Sequence, residues 1–586
     1  MAKTGDSPKA KVAGMNTNVP VDLVPIVVAV TGHRDIPESD FAVLSASISV
    51  QLHDLSARYP ASPCLLLSGL AEGADRLVAR CALDAGWRVG AVLPLNQRDY
   101  ELDFKDEQSV ADFRELLSLS VWVRELDSHP DSRPQCYRVL GDWLASHAQV
   151  LIALWDGGAV NGPGGTAEVV RTFREGIASD RLILPDAGPV IHVQTRRSSN
   201  PTATPDQAIG CVQHLPACPG GIPGGEEESR WSAVLKRIDQ FNFDVRRIPQ
   251  SLRSSGIEKS KQTSLSDWNE SSQSGTHSSV ILARQLFLAS DAMSMTAQKE
   301  RDTLFMGLLA IGACAIFLAQ VYSGIVSLPI LLGCALCISA IGFAWNFVSE
   351  GRHLEQRYLD YRALAEACKV QFFWKIAGIQ DCAADYYLRE QRDELEWIRQ
   401  AIQTTELGLM PGDNTPLETR LKFVRDSWID DQLRYFLGDQ SRPGGKAAFN
   451  RSKDLLWSRR SQRLLVGGMF LTLATVIFHG FIVDPASELH GWILKGMVVG
   501  YSLIFAAAAL SKVYQENRAF SGHAKQYQRM GLTLQLARSR FDAALAVGDL
   551  AGAVSVVKSV GIDALAENGN WLLIHRERPV SAQGIG

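Results

Sequence analysis

Residues Thr303 to Ser349 run for 47 positions without one Asp, Glu, Lys or Arg. A helix that crosses the hydrocarbon core of a bilayer needs about 20 apolar residues, so this stretch is long enough for two crossings. Its middle, VYSGIVSLP, carries Gly324 and Pro329, both turn signals. The pattern predicts helices over 303–322 and 327–348 joined by a very short turn. A second apolar block, Leu464 to Val483, is followed by the acidic loop DPASELH and by a further block from Gly491 to Ser511. Lys495 lies near enough to the end of that block to snorkel. Four transmembrane helices in two hairpins are expected, forming an all-α region in contact with a lipid bilayer.

Charge at the flanks gives an orientation. Lys299, Arg301, Arg352 and Arg357 border the first pair and Arg459, Arg460, Arg463, Lys512 and Arg518 the second, whereas both connecting turns are neutral or acidic. By the positive-inside rule, both termini and every long segment are expected on the cytoplasmic side of a cell inner membrane. A shift of 161 residues lays LEQRYLDYRALA on QENRAFSGHAKQ, aligning Glu355 with Glu516, Arg357 with Arg518 and Ala363 with Ala524. In each unit a charged amphipathic helix enters the hairpin and a long helix leaves it, a pattern read as a tandem duplication with units at 281–411 and 412–579. His479, near the outer end of the third span, is read as interfacial. Cys334 and Cys337 lie in an apolar run with no His or acid nearby, so they are read as helix packing and no metal is expected.

The net charge of -4 and pI near 6.3 give none of the basic excess that a nucleic-acid footprint requires, so no nucleic-acid partner is expected. Residues 1–20 are a polar tail without the apolar core of a secretory signal. Residues 198–280 are rich in Ser, Pro, Gly and Thr and read as linker, with one helix at WSAVLKRIDQFNFDV.

Residues 21–197 alternate apolar strand-like runs (IVVAVTG, CLLLSG, VGAVLPL, LSVWVREL, QVLIALWDG, PVIHVQT) with helical patterns near 40–58, from Ala71, near 107–117, near 134–147 and from Thr166. Continuous apolar strands separated by helices predict a Rossmann-like, doubly wound α/β domain with a parallel sheet. Its ligand belongs beyond the carboxyl ends of the strands. The residues there are Gly32, His33 and Arg34 after the first strand; Ser68, Gly69, Glu72, Gly73 and Asp75 after the second; and Trp155 and Asp156 after the fifth, before Gly164, Gly165, Thr166 and Glu168. Glycines let a ligand approach the backbone, and unpaired N–H groups at a helix start favour phosphate. Each segment alone is an ordinary turn; together they point to a nucleotide-like ligand. Arg34 suits a phosphate, or braces the loop through Asp35 or Asp75; His33 is a binding group or a structural histidine. Asp75 is also favourable at a helix start, and Trp155 stacks on a base or is a plain strand-end aromatic.

The stretches TGHRD, SGLAEGAD and GPGGTAE resemble the SLOG superfamily, which unites DNA-processing A (Smf) proteins, Lonely Guy hydrolases and the sensing region of melastatin-type TRP channels. The paired hairpins, with YRALAEACKVQFFWKIAG and ALAENGNWLLIHRERP, resemble SLATT, a two-helix membrane effector found beside SLOG sensors in bacterial conflict systems. The pairing implies an antiviral-defence protein that senses a nucleotide-derived ligand, acts as a homo-oligomer and opens a pore. The Lonely Guy resemblance also implies that Glu168 takes part in cleaving an N-glycosidic bond to a ribose phosphate. No Arg lies in the 150s or early 160s to partner it, so Glu168 is expected to bind a ribose hydroxyl without turnover, with a membrane-tethered phosphoribohydrolase as the alternative.

Overall fold

The structure, a computed structural model, describes residues 23–126, 132–159, 162–177, 187–199, 207–218, 227–247, 279–350, 354–387, 392–408, 415–439, 443–482 and 488–576. Its amino-terminal part is a seven-stranded sheet in the order β4-β3-β2-β1-β5-β6-β7. The strands are β1 (Ile26–Gly32), β2 (Cys64–Ser68), β3 (Arg88–Leu93), β4 (Trp122–Glu125), β5 (Val150–Trp155), β6 (Val190–Gln194) and β7 (Val212–Leu215). The first six are parallel, and β7 runs antiparallel to β6. Helices α1 (Phe41–Arg58), α2 (Ala74–Asp84), α3 (Gln97–Glu101), α4 (Glu107–Leu119), α5 (Arg133–His147) and α6 (Thr166–Glu175) fill the connections. Ile26 to Val30 and Leu65 to Leu67 are all buried, which is why these strands read as continuous apolar runs rather than alternating ones.

The 198–280 segment contributes more than a tether. It supplies β7 and α7 (Glu227–Arg247). Trp231, Val234, Leu235, Ile238, Phe241 and Val245 recur at helical spacing and are all buried, so α7 presents one apolar stripe. Buried Asn242 acts as a substitute peptide group beside β1: it accepts the Val24 N–H at 2.9 Å and donates to the Val24 carbonyl at 2.8 Å. The other side of α7 meets the helical half, where Tyr361 donates to Asp244 at 2.6 Å and Arg237 pairs with Asp360 at 2.9 Å.

The helical half comprises α8 (Ser279–Gly324), α9 (Pro329–Glu350), α10 (Leu354–Ile376), α11 (Arg392–Gln403), α12 (Leu417–Val424), α13 (Asp430–Leu437), α14 (Gly445–Ile477), α15 (Glu488–Asn517), α16 (Phe520–Ala546) and α17 (Leu550–Arg576). Four segments among the described residues are long and apolar enough to cross a membrane, and little of each is buried within the protein. Large apolar side chains there face outward, among them Leu336 at 63%, Phe343 at 72%, Met469 at 66% and Phe470 at 68% exposure. Such a belt is stable only against lipid or another apolar surface.

The membrane helices are longer than the apolar runs that mark them. At 1.5 Å per residue, the 46 residues of α8 span about 69 Å, over twice a bilayer core. Its first half, Ser279 to Ala297, is instead buried by protein, with α10 folded back along it. The second unit repeats the arrangement, α16 lying back along α14.

Candidate functional site

The order of strands reverses between β1 and β5, which is where a doubly wound sheet opens a crevice at its carboxyl edge. His33 and Asp156 face each other across it. His33 Nε2 lies 3.1 Å from Asp156 Oδ1 and 3.2 Å from the Asp156 backbone nitrogen. With a proton on Nε2 the ring donates to the carboxylate; without one it accepts the Asp156 N–H. Burial works to raise the Asp156 pKa, but the Gly158 N–H and His33 outweigh it and hold the carboxyl below its ordinary value.

Most of the glycines named from the sequence turn out to be packing positions. A Cβ on Gly32 would fall 2.3 Å from that of Ala74, and one on Gly73, at φ +74°, 2.5 Å from the carbonyl oxygens of His33 and Arg34. The Ala74 N–H donates to the His33 carbonyl at 3.0 Å. The start of α2, read as a phosphate seat, is therefore met by the end of β1. Gly69 is filled in the same way by Leu140, 2.9 Å from its added Cβ. Ser68 Oγ accepts the Leu70 N–H at 3.0 Å and buried Asp75 accepts that of Ala71 at 3.4 Å, so both brace the loop. Burial pushes the Asp75 carboxyl up to about 7, opposed by the Ala71 N–H and by Arg34 and Arg76. Glu72 is turned to α4, accepting from the Lys105 N–H at 3.1 Å and from the Ser109 hydroxyl.

The open backbone belongs to the β5–α6 connection. Gly157 at φ +81° and Gly162 at φ +108° would have nothing within 4 Å of an added Cβ, and Gly165 meets only the Gly162 carbonyl at 3.6 Å. Gly164 is closed by Tyr137, 2.7 Å away. Its N–H donates to Glu168 Oε2 at 2.6 Å, so the carboxylate folds back over the helix that Thr166 opens. Trp155 lies 5.5 Å from the His192 ring, and with Gly157, Gly158, Arg171 and Arg174 it lines a cavity of about 440 Å³. That is enough room for a nucleotide-sized molecule, although Arg34, Arg138 and Glu168 are not in its wall.

Helix α5 adds two residues that strand-end reasoning missed. The Arg34 guanidinium stands 4.7 Å over the Tyr137 ring, while Asp35 pairs with Arg197 at 3.0 Å instead. Arg138 Nε lies 3.8 Å from Glu168 Oε1 and 4.0 Å from Asp142. The expectation that Glu168 lacks an arginine is thus corrected: the partner comes from the preceding helix, brought across by β5. Burial and the nearby Glu168 raise the Asp142 pKa. A signal existed in Gly141, a glycine inside a helix, whose added Cβ would sit 2.7 Å from Val169 Cγ2. That contact sets Arg138, one turn earlier, beside Glu168.

Gly157, Gly162 and Gly165 thus leave the β5–α6 backbone open, with the Arg138–Glu168 pair at the start of α6 and Arg34 over Tyr137 of α5. Among the described residues no three His, Cys, Asp or Glu side chains cluster to hold a metal ion. No family model matches the chain, and no curated protein matches it.

Proposed function

We propose that this chain is a membrane-anchored sensor-effector: its α/β domain binds a nucleotide-derived ligand at the β1–β5 crevice, and its membrane hairpins respond. The observation that carries this reading is the continuity between the two. The crevice belongs to a sheet whose core runs without a break, through α7, into the helices that continue as membrane spans. Occupancy of the crevice can bias the hairpins to the extent that the ligand's affinity differs between their arrangements. The resemblance to SLOG and SLATT supports the same assignment and extends it to a homo-oligomeric pore in bacterial defence, with the termini in the cytoplasm. For orientation, Ser487→Cys should be labelled from outside an intact cell and Ser272→Cys should not; the reverse pattern contradicts it.

A second reading is favoured by the Arg138–Glu168 pair. An arginine beside a carboxylate at a helix start can hold a ribose phosphate while the carboxylate serves as general acid or base, the arrangement of a tethered nucleotide phosphoribohydrolase. Release of free base from nucleoside monophosphates by the full chain, measured beside calorimetric binding, separates the two. The sensor reading expects binding without turnover, weakened in Glu168→Gln. Wild-type turnover that vanishes in Glu168→Gln with affinity retained establishes the hydrolase.

A further inference from the structure

Where the two hairpins meet the rest of the protein, the helices enclose a cavity of about 570 Å³. It is bounded by α8, α10, α13, the start of α14, the α15–α16 junction and α17, so both membrane units wall it. Arg301 lies two residues before the uncharged stretch of the first span, and Arg518 follows the last span closely. The cavity is therefore at the level where the helices leave the lipid.

Its walls carry more positive charge than they neutralise. Arg301 and Arg518 share the single carboxylate of Asp302, at 3.2 and 3.0 Å. Arg362 and Lys369 are balanced, the first by Glu366 and by Asp291 at 3.1 Å and the second by Glu366. Lys446, at the mouth, has only the rings of Tyr435 and Phe449, 5.7 and 5.5 Å away, and no carboxylate within 4 Å among the described residues. The other acid in the wall, Glu567, is pushed up to about 7 by burial and by Glu366, so it is only partly ionised near neutral pH.

Hydrogen bonding leaves the same gap. The Nε atoms of Arg301 and Arg518 and Nδ1 of His523 are buried without a partner, and all three residues line this cavity. A buried donor without an acceptor costs about 1–3 kcal/mol, and the two guanidinium Nε donors facing one space indicate a missing acceptor with several oxygens; His523 Nδ1 adds a third donor only in one tautomer.

We propose that this cavity binds a phosphate-bearing anion, held by Arg301, Arg518 and Lys446. Guanidinium groups match phosphate oxygens, and the ammonium at the mouth adds a point charge. Bound there, the anion ties the incoming helix of each membrane unit to the α15–α16 junction. Phosphate at this level has two sources, a lipid headgroup or a soluble phosphate compound. The site is separate from the strand-edge crevice and stands or falls independently of it.

The test uses the full chain in phosphatidylcholine nanodiscs, with thermal unfolding as the readout. One arm adds inorganic pyrophosphate; the other replaces part of the lipid with phosphatidylglycerol. Stabilisation by pyrophosphate identifies a soluble source, and stabilisation only by phosphatidylglycerol identifies a headgroup. In either case Lys446→Gln, which breaks no ion pair, should weaken the effective affinity about tenfold. Lys453→Gln, a nearby lysine outside the cavity, should leave it unchanged. No stabilisation in either arm, or equal stabilisation of wild type and Lys446→Gln, overturns the proposal.

Discussion

The strand-edge crevice and the cavity beneath the hairpins are both polar spaces, yet they are built in opposite ways. At the crevice the charged groups are largely satisfied from within: His33 by Asp156, Glu168 by the Gly164 N–H and Arg138, Asp75 by the Ala71 N–H. In the cavity two arginines divide one carboxylate and three buried nitrogens have no partner. A self-satisfied site can exchange an internal contact for a ligand contact and so report on occupancy. A site with surplus cations needs an anion to be complete, which suits a permanent clamp.

The largest expected effect concerns what joins the two regions. Buried Asp360 accepts from Arg237 of α7 at 2.9 Å and from Arg576 of α17 at 2.7 Å. Asp360→Ala removes the buried carboxylate that two half-buried guanidinium groups and the Trp397 N–H share, and should cost about 3 kcal/mol. If the regions are one body, unfolding of the full chain in detergent should shift as a single transition. Loss of the helical transition with the sheet unmoved would separate them and break the comparison.

Next come the glycines. Gly73→Val must displace the His33 and Arg34 carbonyl oxygens, so it should lower the unfolding temperature and ligand binding together. Gly165→Val meets open space and should leave unfolding unchanged while weakening binding of nucleoside monophosphates. Equal unfolding losses in both would show that the β5–α6 backbone is packed, not open.

A smaller effect is expected from Glu168→Gln, which gives up a charged acceptor and should weaken ligand binding by about 1–3 kcal/mol. A pH dependence is expected as well. Asp75 titrates near 7 when folded, above its ordinary carboxylate value. Its contribution to stability is fully present below the unfolded pKa of about 4 and is lost as pH rises through 7. Wild type should therefore lose stability relative to Asp75→Asn between pH 4 and 7, and a constant difference across that range would contradict the burial of this carboxyl.

What was legible in the sequence follows from how local each signal is. The parallel strands declared themselves because burial on both faces leaves an apolar run, and the spans because lipid demands length without charge. β7 did not, since a four-residue edge strand with half-exposed side chains carries no periodicity. The amphipathic stripe of α7 was readable, but not that both its sides are occupied, because Asn242 and Asp244 find their partners more than 100 residues away. At the site, strand ends were readable and their glycines ambiguous. Glycine that admits a ligand and glycine that admits Ala74 look alike until the neighbouring helix is placed. Arg138 was missed because its meeting with Glu168 is made by helix packing across β5 and not by sequence proximity.

The central claim is that the crevice holds a nucleotide-derived ligand, and it is tested most directly by mass spectrometry of small molecules retained by the full chain purified in mild detergent. Wild type and Gly165→Val, which should fold alike, are compared from the same cells. A phosphorylated nucleoside compound is expected with the wild type, and its depletion from the variant. An empty wild type, or the same compound retained equally by both, would contradict it.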